Sequence, residues 1–293
     1  MSSNHLESPA RAKRYFSERQ GLRTGAFDLA TLRKVFRSFI DELESKLYLY
    51  EWLGYDCVDG EPLGRKGGDP SAFVLKEVGR DDLWPPATYA DTWSEDAIFD
   101  LVEFLAENVS AGDEASGRFH NYNECGWHYY KFTREPALAF FVTEANRILA
   151  RYDRGYQLDE QLQVVALPPE GTQTLVSATL PKSVSAVNRS KVENAIRKFR
   201  SRGATESDRG DALRDLGDVL EGLKPEAKRL IRADATDIFN FLNNFGLRHN
   251  NDRQKTDYDP IWQSAMFYHL LTVIHTLTRL IDQERDSGAA GVP

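Results

Sequence analysis

The sequence predicts a mostly α protein: an N-terminal α-rich domain with one small β-hairpin, then a C-terminal bundle of four or five helices. Three observations carry this. Apolar residues recur at three- and four-residue steps through most of the chain, the period of an amphipathic helix. Strand-like alternation is confined to GYQLDEQLQVVALPP at 155–169. A Thr-, Ser- and Pro-rich stretch at 168–187 separates that region from a wholly helical remainder.

The elements follow in order. Residues 1–14 have no periodicity and are read as disordered. Within them MSSNHLESPARAKR shows no apolar run after its basic residues, so no secretory signal is expected. The N-terminal domain, 15–168, opens with FSERQGL. In LATLRKVFRSFIDELESKLYLYEWLGY (29–55), Leu32, Val35, Phe36, Phe39, Ile40, Leu43, Leu47 and Tyr50 form one stripe, which predicts a single long helix stopped by Gly54. Residues 56–92, rich in Gly, Pro and Asp, read as a loop without an element of its own. Ser94 caps a second helix, SEDAIFDLVEFLAENV, and Pro136 sits in the first turn of a third, PALAFFVTEANRILARY. The alternating run at 155–169 is the hairpin, turning at DEQ and ended by Pro168 and Pro169.

A linker is placed at 169–187 and a helical bundle at 188–285. The bundle has periodic segments at 188–202, 209–223, 225–247 (one helix or a pair) and 260–284, the last opening with Pro260. Residues 286–293 form a frayed tail.

The net charge of −8 is unevenly placed. Residues 186–285 carry 17 Lys and Arg against 15 Asp and Glu, and the remainder carries 20 against 30. Such a chain does not coat nucleic acid non-specifically, but a local basic face still binds phosphate. The 188–202 segment offers one: Arg189, Lys191, Arg197, Lys198, Arg200 and Arg202 are opposed only by Glu193. A solvated helix face is the default for such a run, and an RNA contact through Arg197 and Arg200 is the functional alternative. The two cysteines make no disulfide framework and point to a reducing, cytoplasmic setting. The longest apolar run, ALAFFV at 137–142, is too short to span a bilayer. RKGGDP at 65–70 lacks phosphate-loop spacing, and no GxSxG or HExxH occurs.

The densest polar constellation is NNFGLRHNNDRQKTDYD at 243–259, between two apolar helical stretches. Metal-independent RNA cleavage needs a base for the 2′-hydroxyl, an acid for the leaving oxygen and cations for the phosphorane. His249 suits proton transfer near neutral pH, Arg248 suits a phosphate through its planar fork, and Asn244 orients one of them. Asn243, Asn250 and Arg253 are candidate binding residues around this set. The structural alternative pairs Asp257 and Asp259 with Arg248 and Arg253, leaving the asparagines as caps.

Two resemblances bear on function. Phe16, Ser17, Arg19 and Gly21 ahead of a long helix, with Asn146, Leu149, Gly155 and Tyr156 leading into a hairpin, resemble the N-terminal domain of AbiJ-type abortive-infection proteins. The C-terminal half resembles HEPN domains, helical bundles of antiviral and toxin–antitoxin systems, whose ribonucleases carry Arg-x(4–6)-His between their last two major helices. Asn243 to His249 has that place and spacing, with Asn243 where the family has Arg. The resemblance implies an anti-phage or toxin-type protein, a metal-independent endoribonuclease in a homodimer that brings two motifs together. Its alternative is a non-catalytic module binding nucleic acid, a nucleotide or a partner protein of a defence system. The run Ile261, Trp262, Met266, Phe267, Leu270, Leu271, Ile274, Leu277, Leu280 and Ile281 makes the last helix apolar most of the way round. That independently argues for a second copy covering it.

Lesser candidates complete the reading. His120, Cys125 and His128 in HNYNECGWH have zinc-ligand spacing with Glu124 nearby. Three ligands without a paired motif do not make a structural zinc site, and Trp127, Tyr129, Tyr130 and Phe132 favour aromatic packing. Cys57 and Cys125 lack CxxC spacing and read as ordinary buried or loop thiols. His269 and His275 read as core histidines. No metal and no cofactor is expected.

Overall fold

In the computed structural model the first long helix starts at Asp28, whose carboxylate accepts the Thr31 N–H at 2.8 Å and so satisfies one of the orphan donors of a helix start. The structure describes residues 15–20, 25–60, 63–153, 155–244 and 259–289. The chain divides into two units, 1–167 and 168–293.

In the first unit a single-turn helix, α1 (Phe16–Arg19), precedes α2 (Leu29–Ser45). Leu32, Phe36, Phe39, Ile40 and Leu43 are the buried face of α2, at the predicted spacing. The helix does not run on to Gly54. Leu47 takes a left-handed φ of 63°. Its N–H donates to the Glu44 carbonyl, and the Tyr48 N–H donates to the Leu43 carbonyl. This paired closure of a helix end is usually built on glycine, and a Leu there costs about 1–2 kcal/mol. What offsets it is the redirected chain, which completely buries Leu49 and, on α3 (Tyr50–Leu53), Trp52.

Residues 56–92 are not a loop alone. They contain α4 (Pro70–Val78) and α5 (Pro86–Tyr89). The Asp69 carboxylate accepts the Ala72 N–H at 3.1 Å, Pro70 occupies the first turn, and Gly79 closes α4 in a left-handed conformation. The central helix is α6 (Glu95–Asn108), capped by Ser94 as predicted. It buries Ala97, Ile98, Leu101, Val102 and Leu105 completely, each large side chain contributing roughly 1.5–3 kcal/mol. The third predicted helix is α7 (Glu135–Leu149).

Among the described residues, three two-stranded antiparallel sheets replace the single predicted hairpin. β1 (Ala111–Gly112) pairs with β4 (Phe132–Thr133). Nested between them, β2 (Arg118–His120) pairs with β3 (Gly126–His128), Phe119 opposite Trp127. The predicted hairpin is β5 (Tyr156–Leu158) with β6 (Val164–Ala166). Two side chains fasten it to the helices: Asn146 Oδ1 accepts the Leu158 N–H and Glu103 Oε1 accepts the Val164 N–H, both at 2.7 Å. The start of this unit's described chain also meets the segment just after α7. Arg151 pairs with Glu18 and donates twice to the Gly25 carbonyl, at 3.0 and 3.1 Å, and Phe27 bridges to Tyr152 in parallel.

The second unit contains α8 (Gln173–Val176), α9 (Ala186–Arg200), α10 (Glu206–Gly222), α11 (Lys224–Ile231), α12 (Ala233–Asn244) and α13 (Pro260–Ala289). The predicted 225–247 segment is thus a pair of helices, α11 following a Pro225 start and breaking at Arg232, whose φ is +44°. Residues 169–187 are more than a linker, because Leu180 is buried in this unit's core and Leu175, Val176 and Val184 pack against it. The tail also differs: α13 continues through Ala289. Most of the apolar run on α13 is covered within the unit itself, Met266, Phe267, Leu270, Leu271, Ile274, Leu277 and Ile281 all being buried. The case for a second copy covering this helix therefore narrows to Ile261 and Trp262, which are exposed. Among the described residues no helix is long and apolar enough to cross a membrane.

Candidate functional site

The predicted site at 243–259 is only partly described. Asn243 and Asn244 form the last turn of α12. Arg248, His249, Asn250 and Arg253 lie outside the described residues.

The basic helix is described, and α10 and the preceding segment take up much of its charge. Lys191 reaches Asp218 at 3.5 Å and Lys198 reaches Asp215 at 2.8 Å. Arg189 donates to the carbonyls of Leu180 and Pro181 at 2.9 and 2.8 Å. Arg197 donates to Asn194 Oδ1 at 3.0 Å. Arg200 is buried at the end of α9, so it does not present its guanidinium to an external phosphate. Three of the run's six cations, Arg189, Lys191 and Lys198, thus join α9 to neighbouring segments. Beside them Phe199 stacks on Phe267 with ring centroids 4.0 Å apart, and Arg209 lies over the Phe199 ring at 5.7 Å. The histidines of α13 differ from each other. His275 is buried, as read from the sequence, and burial holds its pKa below the usual value, with Arg279 adding to the effect. His269 is exposed rather than part of the core.

A second constellation lies in the first unit, and only part of it shows in the sequence. Cys57, His120, Cys125 and His128 each offer one donor atom, and these atoms all lie within 4.8 Å of one another. The local sequence explains how. His120 ends β2 and His128 ends β3, opposite Arg118 in the antiparallel register. The turn between the strands carries Asn123 at φ 51° and Gly126 at φ 79°, and its reversal brings Cys125 back toward the strand ends. Cys57 arrives from the segment after α3. That segment is fixed in place where Gly54 bridges to Leu63 and where Gly64 comes so close to the Trp52 carbonyl that a Cβ would stand 2.4 Å from its oxygen.

Contacts inside the cluster are specific. Cys57 Sγ is 3.4 Å from His120 Nδ1, and the Asp59 N–H donates to Cys57 Sγ at 3.4 Å. His120 Nε2 lies 3.5 Å from Asp59 Oδ2. The Tyr55 ring lies against His128, centroids 4.4 Å apart. His128 is the one buried residue described between 111 and 133, and its Nε2 has no hydrogen-bond partner among the described residues.

This corrects one expectation: Cys57 and Cys125 are not unrelated thiols. The aromatic packing is present at the surface, with Trp127 stacked on Tyr129 and Tyr129 edge-on to Phe132, while Trp127 and Tyr130 are themselves exposed. The spacing of His120, Cys125 and His128 was a signal in the sequence. The fourth member was hidden because 62 residues separate Cys57 from His120. No family model matches the chain, and no curated protein or solved structure matches it.

Proposed function

We propose that the chain is an anti-phage protein of abortive-infection or toxin type, acting on RNA through metal-independent endoribonuclease chemistry in its C-terminal unit. One observation supports this reading. Helix α12 runs to Asn244 and α13 begins at Pro260, so Arg248 and His249 fall in the sequence between the last two described helices of this unit. That is the place the HEPN resemblance assigns to the motif. His249 would move the proton, Arg248 would bind the phosphate, and Asn244 would orient one of them. A homodimer, joined where Ile261 and Trp262 stand exposed at the start of α13, would pair two such segments. The second reading is a non-catalytic module that binds nucleic acid, a nucleotide or a partner protein. Asn243 in the place of the family's Arg favours it.

The test is single-stranded RNA incubated with the full chain in magnesium-free buffer. Cleavage that disappears in His249→Ala and Arg248→Ala, at unchanged melting temperature, supports the nuclease. Asn243→Arg, which restores the strict motif, should raise the rate. Filter retention of uncut RNA would move the assignment to the binding module. Absence of both cleavage and binding would sink the RNA reading.

A further inference from the structure

We propose that Cys57, His120, Cys125 and His128 bind one zinc ion in a closed, tetrahedral site that ties the segment after α3 to the β2–β3 hairpin. This inference does not depend on the RNA reading, which concerns the other unit.

The donor set decides the kind of ion. Two thiols and two imidazoles are soft to borderline ligands, which select zinc over the oxygen-seeking magnesium and calcium. Four protein donors fill a tetrahedron and leave no position for a water or substrate, the pattern of a structural rather than a catalytic zinc. A Zn–S bond of about 2.3 Å and a Zn–N bond of about 2.0–2.1 Å give a tetrahedral S···N edge of about 3.6 Å. The Cys57 Sγ to His120 Nδ1 distance is 3.4 Å. All four donors lie within 4.8 Å of one another, so no pair needs to close by more than about 1.5 Å to reach the edges of such a tetrahedron.

The surroundings fit the same ion. With His120 Nδ1 on the metal, its Nε2–H faces the Asp59 carboxylate, the outer-shell arrangement that fixes a ligating imidazole and raises its basicity. The Asp59 N–H donates to Cys57 Sγ and so stabilises a thiolate. The buried Nε2 of His128 costs free energy while it has no partner, a cost that a metal bond at that atom would remove. Binding releases the two thiol protons to solvent, and two thiolates then neutralise the ion's double positive charge.

The site also answers a folding question. Between 111 and 133 only His128 is buried among the described residues, so this excursion has almost no apolar core. What packing it has is local: the Tyr129 ring lies against Gly112 and Gly117, where an added Cβ would stand 2.2 and 2.9 Å from ring atoms. Small segments without a core are held by disulfides or metals.

The experiment uses the full chain without a polyhistidine tag. Metal analysis after dialysis should find about one zinc per chain, and Cys57→Ser should remove it while the helical circular dichroism stays. Cobalt(II) added to the zinc-stripped wild type should give the strong visible bands of a tetrahedral ion and thiolate-to-cobalt charge transfer in the near ultraviolet. If Cys57→Ser does not fold, Cys125→His keeps four donors: it should fold, hold zinc and show about half the charge-transfer intensity with cobalt. No zinc in the wild type together with a weak octahedral cobalt spectrum would overturn the proposal. Zinc content unchanged in both Cys57→Ser and His128→Ala would overturn it equally, by placing the metal elsewhere.

Discussion

Two regions of the first unit are built on opposite principles. The helical part buries whole aromatic side chains: Phe36, Trp52, Trp93 and Phe141 have almost no exposed surface, and Phe39 packs its ring 5.3 Å from that of Phe141. The excursion at 111–133 does the reverse. It exposes Phe119, Tyr122, Trp127 and Tyr130 and buries a histidine. The first region is stabilised by apolar area removed from water. The second has too little of that area, so hydrogen bonds, glycine contacts and the four-donor cluster must specify its shape. Ser116 illustrates this: its hydroxyl donates to the Asp113 carbonyl at 2.9 Å and accepts the Lys131 N–H at 3.0 Å, crossing the base of the excursion.

The largest effect should come from the helical part. Phe141→Ala removes a ring that is fully buried, and we expect it to cost about 3–5 kcal/mol in chemical denaturation. A loss below about 1 kcal/mol would mean that the core collapses around the gap far more readily than its packing suggests.

Removal of zinc should act on the other region alone. Under a strong chelator, amide exchange and protease cleavage should rise within 113–131 while the amides of α2 and α6 stay protected. Uniform loss of protection across both regions would erase the distinction between them. Gly112→Ala probes the same region without touching a donor. Its Cβ would meet the Tyr129 ring at 2.2 Å, so a loss of about 1–3 kcal/mol is expected, with a matching fall in zinc affinity. Unchanged affinity would show that the glycine contact and the metal act independently.

The smallest effect lies in the second unit and is a matter of pH. Burial holds the His275 pKa below its usual 6.5. As pH falls through that value the unfolded chain takes up a proton before the folded one, so stability is present above it and declines below. The melting temperature of this unit should therefore drop between about pH 7 and 5, and His275→Leu should flatten the dependence. An equally steep profile in His275→Leu would assign the effect to other groups.

Legibility in the sequence follows the same division. Helices α2, α6 and α7 are visible because a buried face repeats at helical spacing, and β5–β6 because alternation survives between turn residues. Helix α4 carries signals at its ends, Asp69-Pro70 at the start and Gly79 at the stop, but it lies among so many Gly and Pro residues that the whole stretch reads as loop. The break at Leu47 is invisible: no glycine marks it, and the turn exists only because Leu49 and Trp52 gain burial beyond it. The four-donor cluster is half legible. Spacing gives His120, Cys125 and His128, but no local pattern reaches back to Cys57. The candidate residues Arg248 and His249 are legible only as composition and position.

The pairing of Arg151 with Glu18 and the Gly25 carbonyl has a consequence for the growing chain. The earliest helix of the first unit finds its anchor 133 residues later. Translation at about 5–20 residues per second therefore leaves that opening segment waiting on the order of 10 s for a partner that is still inside the ribosome. Through that interval the Phe27 ring lacks the Arg151 guanidinium that lies over it in the finished unit, and stays open to a chaperone near the exit tunnel. Pausing that extends the interval, for instance through rare codons before Arg151, should increase cleavage by proteases near residue 20 and leave the finished protein unchanged once the two segments have joined.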